Sequence, residues 1–180
     1  DLVLAESLIE LSAKKPIDKI TIKEITDKAG VIRPTFYNHF QDKYELIEWI
    51  IKSELLEPIK PLLNAGMIFE AIVLMLNNIS ANSVFYKKAL KLEGAVTFNQ
   101  IAMKCVYEMF MNIINEKSTG KKSKYRWLTP EVISTYYAQS LCFITEGWIA
   151  QGMDDIEPKE MAEAYMYLIT RSMDDILSEL

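Results

Sequence analysis

Residues 21–40 read TIKEITDKAGVIRPTFYNHF. Thr21 and Glu24 make a capping box: the threonine hydroxyl can accept from the Glu24 amide, and the glutamate can reach back to the Thr21 amide. Ile20 before the cap and Ile25 after it supply the matching hydrophobic staple. A short helix is therefore expected from about Ile22. Gly30 is expected to end it, in the left-handed position that only glycine adopts at little cost. Pro34 suits the first turn of a following helix, where its missing N–H costs nothing. That helix is expected over roughly Arg33–Phe40. Downstream, Asp42-Lys43-Tyr44-Glu45 repeats the box logic with an aspartate cap and opens another helix.

Two short helices joined by a tight glycine turn make a helix-turn-helix. At about 100° per residue, Phe36 and Phe40 share one face of the second helix and can lock it into a core. Arg33, Pro34, Thr35, Tyr37, Asn38 and His39 spread over the remaining arc. A guanidinium, a hydroxyl, a phenol, a carboxamide and an imidazole facing outward are groups that bond phosphates and base edges. The same pattern also fits a solvated surface helix with two core phenylalanines.

The charge distribution bears on that choice. The chain has 180 residues and a net charge of −5. From Lys14 to Lys43 there are seven cations and four anions, so that window is +3 and the remainder −8. A basic patch on an acidic body has this asymmetry, which taken alone is a weak signal. Half of the residues are hydrophobic, enough for a sizeable core. The longest apolar runs fall far short of the roughly 18–20 residues that a membrane span needs. Nothing at the start resembles a basic segment with a cleavage site, and the chain begins at Asp1 rather than Met, so a trimmed start is expected. Cys105 and Cys142 are the only cysteines. They sit in apolar, helix-like contexts, which fits buried thiols in a cytoplasmic protein better than a disulfide.

At this point the residues carry a resemblance. T-I-K-E-I-T-D-K-A-G-V (21–31), P-T-F-Y-N-H-F (34–40) and D-K-Y-E-L (42–46) resemble, in type and spacing, the DNA-binding domain of TetR/AcrR-family transcriptional regulators. Ile32 departs from the pattern: it stands where many members have a serine or threonine cap, a loss of very roughly 1 kcal/mol. Ile32-Arg33 with Thr35-Phe36-Tyr37-Asn38 also resembles a smaller branch that includes regulators of dihydroxyacetone kinase operons, with a thinner likeness through Tyr125-Arg126-Trp127. The resemblance implies that Arg33, Pro34, Thr35, Tyr37, Asn38 and His39 face the major groove of double-stranded DNA. It implies phosphate contacts for Tyr37, His39, Thr21 and Lys43, and a less certain one for Lys23. Arg33 is the best candidate for reading guanine, because its fork suits O6 and N7, and Pro34 can meet a thymine methyl.

Past Trp49 the composition changes, and all nine methionines lie from Met67 onward. Glu57-Pro58-Ile59-Lys60-Pro61 is expected to break the helix and act as a hinge between head and body. A head over 1–47 and a regulatory and dimerisation body over 48–180 are expected. In the body, Ile68, Ile72, Met75, Leu76 and Ile79 keep helical spacing, and Thr97 with Gln100 forms another capping box. The last two helices are expected over about 131–151 and 158–178, and they are the expected dimer bundle. The cations Lys117, Lys121, Lys122, Lys124 and Arg126 around Gly120 read mainly as a solvated loop. Tyr107, Trp127, Tyr136, Phe143 and Trp148 are candidates for a ligand pocket, although ordinary core packing explains most such residues.

Enzyme readings find little support. One histidine cannot build a His-rich metal site, and there is no G-x-S-x-G, P-loop or G-x-G-x-x-G. Asp154-Asp155 and Asp174-Asp175 look like solvated helix termini. The expectation is an all-α, TetR-like DNA-binding homodimer without a cofactor, cytoplasmic, and at the nucleoid when bound. The body is expected to sense a small apolar effector. The rival expectation is a body that docks a coactivator protein of the dihydroxyacetone-kinase type. An enclosed apolar cavity would favour the effector, and an exposed apolar patch outside the dimer interface would favour the partner.

Overall fold

A computed structural model describes residues 1–94, 96–118 and 123–179. Among the described residues there are helices and no strands. The head holds α1 (Leu2–Lys14), a 3-10 turn (Ile17–Lys19), α2 (Ile22–Ala29), α3 (Arg33–Tyr37) and the start of α4 (Lys43–Ile50). The body follows with α5 (Lys60–Asn64), α6 (Ile68–Ala81), α7 (Ser83–Ala89) and α8 (Phe98–Lys117). It ends with α9 (Pro130–Ala150), α10 (Pro158–Thr170) and α11 (Met173–Glu179). No single helix among these residues is long and apolar enough to cross a membrane.

Local signals built the head as expected. Both halves of the Thr21–Glu24 box are present, and Ile20 and Ile25 are buried beside it. Gly30 has φ 68°, and Val31 N–H reaches back to Thr26 O at 3.0 Å, which closes the α2 terminus. Asp42 caps α4 by accepting from the amides of Tyr44 and Glu45. Glu45 completes this cap one residue early, taking Gln41 N–H at 2.5 Å.

Three boundaries bear on the sequence reading, and two of them differ from it. α3 ends at Tyr37, and Asn38 and His39 continue as a turn to Phe40, whose N–H still bonds Phe36 O at 2.9 Å. Asp42 must turn extended to cap α4, so the chain leaves the helix before it. Second, the break expected at residues 57–61 is present. α4 runs on into a wider π-helical turn, Ile51–Leu56, where Glu57 N–H bonds Lys52 O at 2.8 Å. The chain breaks only at 57–59. Pro58 has no N–H for the Glu54 carbonyl, and Asn78 Nδ2 donates to that carbonyl instead, at 2.9 Å. Third, the expected helix over 158–178 is two helices. Ser172 and Asp175 exchange hydrogen bonds (Asp175 N–H to Ser172 Oγ at 3.2 Å, Ser172 N–H to Asp175 Oδ2 at 3.2 Å) and start α11 afresh. Ser172-Met173-Asp174-Asp175 is itself a capping box, a local signal present in the sequence.

The head rests on the body through α1 against α7 and α4 against α8. Glu48 on α4 takes Lys104 Nζ at 2.8 Å and Lys52 Nζ at 2.7 Å, and Lys52 also reaches Glu108 at 2.8 Å. α8 and α9 form the most extensive helix pair, while α10 packs mainly on α6. Cys105 and Cys142 are free and buried, and burial pushes both thiols up to about 12.

Candidate nucleic-acid interface

α3 is held by two rings. Phe36 and Phe40 are 0% and 4% exposed with centroids 5.7 Å apart, and Trp49 of α4 meets Phe40 edge-on. With that face committed, Arg33, Pro34, Tyr37, Asn38 and His39 are exposed and Thr35 is half-buried. α3 and the turn after it therefore leave five of these six residues exposed and the sixth half-buried.

Their partners differ. Arg33 Nη2 lies 3.4 Å from the Tyr37 hydroxyl, so the two outermost groups of α3 touch each other. His39 Nδ1 is 2.8 Å from Asp1 Oδ1. Lys23 pairs with Asp27 at 2.5 Å along α2. The Thr21 hydroxyl accepts from Glu24 N–H at 3.3 Å and donates to Glu24 Oε2 at 2.8 Å. Lys15 Nζ sits 2.6 Å from the same carboxylate and, with Thr21, holds Glu24 down to about 2.

Lys43 stands apart. Its ammonium donates to the carbonyls of Ile17, Asp18 and Ile20 at 3.0, 2.8 and 3.2 Å. All three donors are thus engaged at the end of the 3-10 turn, and burial lowers its pKa. Lys43 braces the segment that leads into the Thr21 cap. The sequence marked Lys43 only by its place in the motif, because the carbonyls it reaches lie more than twenty positions away.

The net +3 of the head is also redistributed. Lys15 pairs with Glu24 and Lys28 with Glu10, tying α2 to α1. Among the described residues, Lys14, Lys19, Arg33 and Lys43 have no carboxylate within ion-pair distance, and Lys43 alone of these is engaged by backbone carbonyls. These four cations carry the unneutralised positive charge of the head.

The body holds an apolar, partly open pocket of about 40 Å³ between the π-helical turn and α6 to α9. Its wall includes Tyr86, Thr145 and Glu146, and none of the five residues expected to form a pocket. Trp148 is core: it is 2% exposed and donates Nε1–H to Ile156 O at 2.9 Å. Tyr107 is half-buried against the core. Trp127 and Tyr136 line an open surface groove at the start of α9, and Phe143 is 76% exposed. Those rings look alike in sequence, but their direction from the helix axis is set by packing partners far along the chain. Of the loop cations, Lys117 Nζ donates to Leu63 O at 2.8 Å and Lys124 lies over the Tyr125 ring. Gly120, Lys121 and Lys122 lie outside the described residues.

Comparison with known proteins bears on both halves. Residues 6–50 match the family described as bacterial regulatory proteins, tetR family, and residues 67–171 match the transcriptional regulator C-terminal region. A curated relative, the HTH-type dhaKLM operon transcriptional activator DhaS of Lactococcus lactis, is 26% identical over 152 residues, 83% of this chain and 79% of that protein. Among solved structures, the dihydroxyacetone kinase operon activator DhaS superposes with a TM-score of 0.64 at 22% identity, covering 93% of this chain and 92% of that one. NalD, the secondary repressor of the MexAB-OprM multidrug efflux pump in Pseudomonas aeruginosa, gives 0.57 at 14% identity, covering 93% of each chain. The two superpositions show the fold; the family match over both parts, spanning more than half of the sequence, shows that this chain belongs to the TetR family of bacterial transcriptional regulators.

Proposed function

We propose that α3 enters the major groove of an operator, one copy from each subunit of a homodimer, and that Arg33 reads a guanine there. The observation that carries this reading is the division of labour on α3: two rings fold inward, and the six other side chains are left at the surface. Thr35 and Asn38 are available to bases, and Pro34 to a thymine methyl. Tyr37, His39, Thr21 and Lys23 are assigned to phosphates, which position the head without specifying sequence. Lys43 is assigned to the brace described above rather than to DNA. Dimerisation is assigned to the exposed faces of α9, α10 and α11, with head 1–47 and body 48–180 as functional units joined by one continuous helix. The site of action is the chromosome in the bacterial cytoplasm.

The apolar pocket between the π-helical turn and α6 to α9 supports control by a small effector. A second reading, in which a coactivator protein docks on the body, is not favoured over the first by the open groove at Trp127 and Tyr136, because that groove lies on the α9 face assigned to dimerisation. DhaS is described as an activator and NalD as a repressor, so family membership leaves the direction of control open.

The test compares Arg33→Ala with Tyr37→Phe on single-base variants of a duplex selected from random DNA. A good bidentate pair contributes about 1–3 kcal/mol of discrimination. Arg33→Ala is expected to weaken the selected site and relax preference at one base pair per half-site. Tyr37→Phe is expected to weaken selected and scrambled duplexes by similar factors. Equal losses on every variant for Arg33→Ala would make Arg33 a phosphate contact and leave readout to Pro34, Thr35, Asn38 or DNA shape.

A further inference from the structure

The turn after α7 meets the head at close range. Glu93 donates its backbone N–H to Asp18 Oδ2 at 3.3 Å, across 75 positions of sequence. Gly94 comes next. Gly30, Gly66 and Gly152 have positive φ, but Gly94 does not, so its backbone has no need of a glycine. Space is what requires it. A methyl group on Gly94 would lie 2.7 Å from Tyr44 Oη and 4.0 Å from Asp18 Oδ1. Among the described glycines it alone makes room for another element. Asp18 is in turn held from both sides: its carboxylate takes Glu93 of the body, and its carbonyl takes the Lys43 ammonium of α4 at 2.8 Å. The 3-10 turn that carries Asp18 leads into the Thr21 cap of α2, and Tyr44 stands in the first turn of α4. The body thus touches the starts of the two helices that flank α3 in the chain.

We propose that Glu93 and Gly94 form a seat for the head, and that Gly94, Asp18 and Tyr44 are positioning residues that set which operator spacing the dimer accepts. The spacing role rests on the regulator reading above; the seat itself does not. Two copies of α3 reach two half-sites together only at a separation fixed by geometry. The Glu48–Lys104 ion pair holds α4 one turn beyond its start, and the seat holds it at Tyr44. Two points on one helix, with Asp18 as a third outside it, define an orientation where one point would leave a pivot. The seat is also shallow. Asp18 Oδ1 is buried with no hydrogen-bond partner among the described residues, so lifting the turn returns that oxygen to water and offsets part of the lost Glu93 bond. Such a contact sets a position without locking it.

The experiment uses the full chain and begins with Gly94→Ala, whose methyl must lift the turn or swing the Tyr44 ring. Tyr44→Phe removes the hydroxyl that this methyl meets, so the double variant is expected to regain the seat. Each protein is titrated with the selected duplex and with duplexes whose half-sites are moved by one base pair either way. Wild type is expected to discriminate between these spacings. In Gly94→Ala the affinity ratio between spacings should narrow about fivefold, while single-base preferences inside a half-site stay as in wild type. The double variant should recover the wild-type ratio. Asp18→Ala should narrow the ratio as well, and Asp18→Asn, which keeps an acceptor, should not. Amide exchange at Glu93 is followed in parallel without DNA; it should quicken in Gly94→Ala and Asp18→Ala and slow again in the double variant. A wild type indifferent to spacing, an unchanged ratio in Gly94→Ala, or a double variant no better than the single one would each overturn the proposal. A wild-type chain that binds no duplex would end the regulator reading and the spacing role with it, and the exchange pattern would still establish the seat or refute it.

Discussion

In the head, Phe36 and Phe40 turn inward and leave six neighbouring side chains at the surface. In the body, Tyr86 and Thr145 turn inward and leave two hydroxyls unpaired. The first arrangement completes its own core and keeps its chemistry outside. The second leaves its core incomplete and keeps its chemistry inside. A surface that meets DNA must be presented by a rigid element, because the match to base edges is geometric. The body's pocket, by contrast, lies beside a π-helical turn, an irregular stretch of an otherwise regular helix.

The comparison breaks most visibly under truncation of each inward side chain. Phe36→Ala removes a fully buried ring that packs on Phe40 and should cost about 3–5 kcal/mol. That is a large share of a typical domain's stability. The head should lose its fold, and DNA binding should vanish, in urea titrations and binding assays run together. Tyr86→Phe, by contrast, should leave stability unchanged or raise it and leave DNA binding in the absence of ligand unaltered. Near-equal losses in the two variants would show that the Tyr86 hydroxyl is paired in solution and that the contrast between the regions is false.

This contrast also explains what the sequence disclosed. The head was legible because its determinants are local: Thr21 and Glu24, Gly30, Pro34 and Asp42 each fix a helix end within a few positions. Phe36 and Phe40 then orient α3 by periodicity alone. The brace made by Lys43 was not legible, since the carbonyls it reaches belong to residues 17 to 20. In the body the helices were legible and the cavity was not. A cavity is volume that no side chain fills, and its outline depends on Ile51, Met75, Phe98 and Leu141 converging from separate helices. Aromatic residues drew attention in the sequence, yet Trp148 went to the core and Phe143 to the surface.

A second test sharpens the comparison at the subunit contact. Along α9, Tyr136, Phe143 and Ala150 recur every seven positions and are exposed, with Gly147 on the same stripe. A seven-residue apolar repeat on one helix face is the pattern of a helix–helix seam. Leu168 on α10 is 48% exposed, while Tyr165 is buried and bonds Ser140 of α9 at 3.0 Å. Phe143→Glu and Leu168→Glu should each raise the dimer dissociation constant at least tenfold in sedimentation. DNA affinity should fall with it through lost bivalency. The head should stay folded, because neither residue belongs to its core. A wild-type chain that sediments as a monomer at micromolar concentration would remove the seam from the account.

The smallest expected effect concerns Ile32, where the head departs from its own logic. The flanking helices α2 and α4 each start with a side-chain cap or a box, but α3 begins after an isoleucine that supplies no acceptor. Ile32 has extended backbone angles, φ −86° and ψ 154°, as a cap residue should, and its side chain is 69% exposed. Pro34 has no N–H, so the Thr35 amide is the one that a capping oxygen would receive; at present it turns to Ile32 O at 2.9 Å. Ile32→Ser places a hydroxyl within reach of that amide and removes little buried surface. The change should therefore stabilise the head by about 0.5–1 kcal/mol. Slower amide exchange at Thr35 and Phe36 should accompany a small rise in Tm. A fall in Tm instead would mean that the isoleucine contributes more by covering the α2–α3 turn than a cap can return, and the local rules that built the rest of the head would stop at its recognition helix.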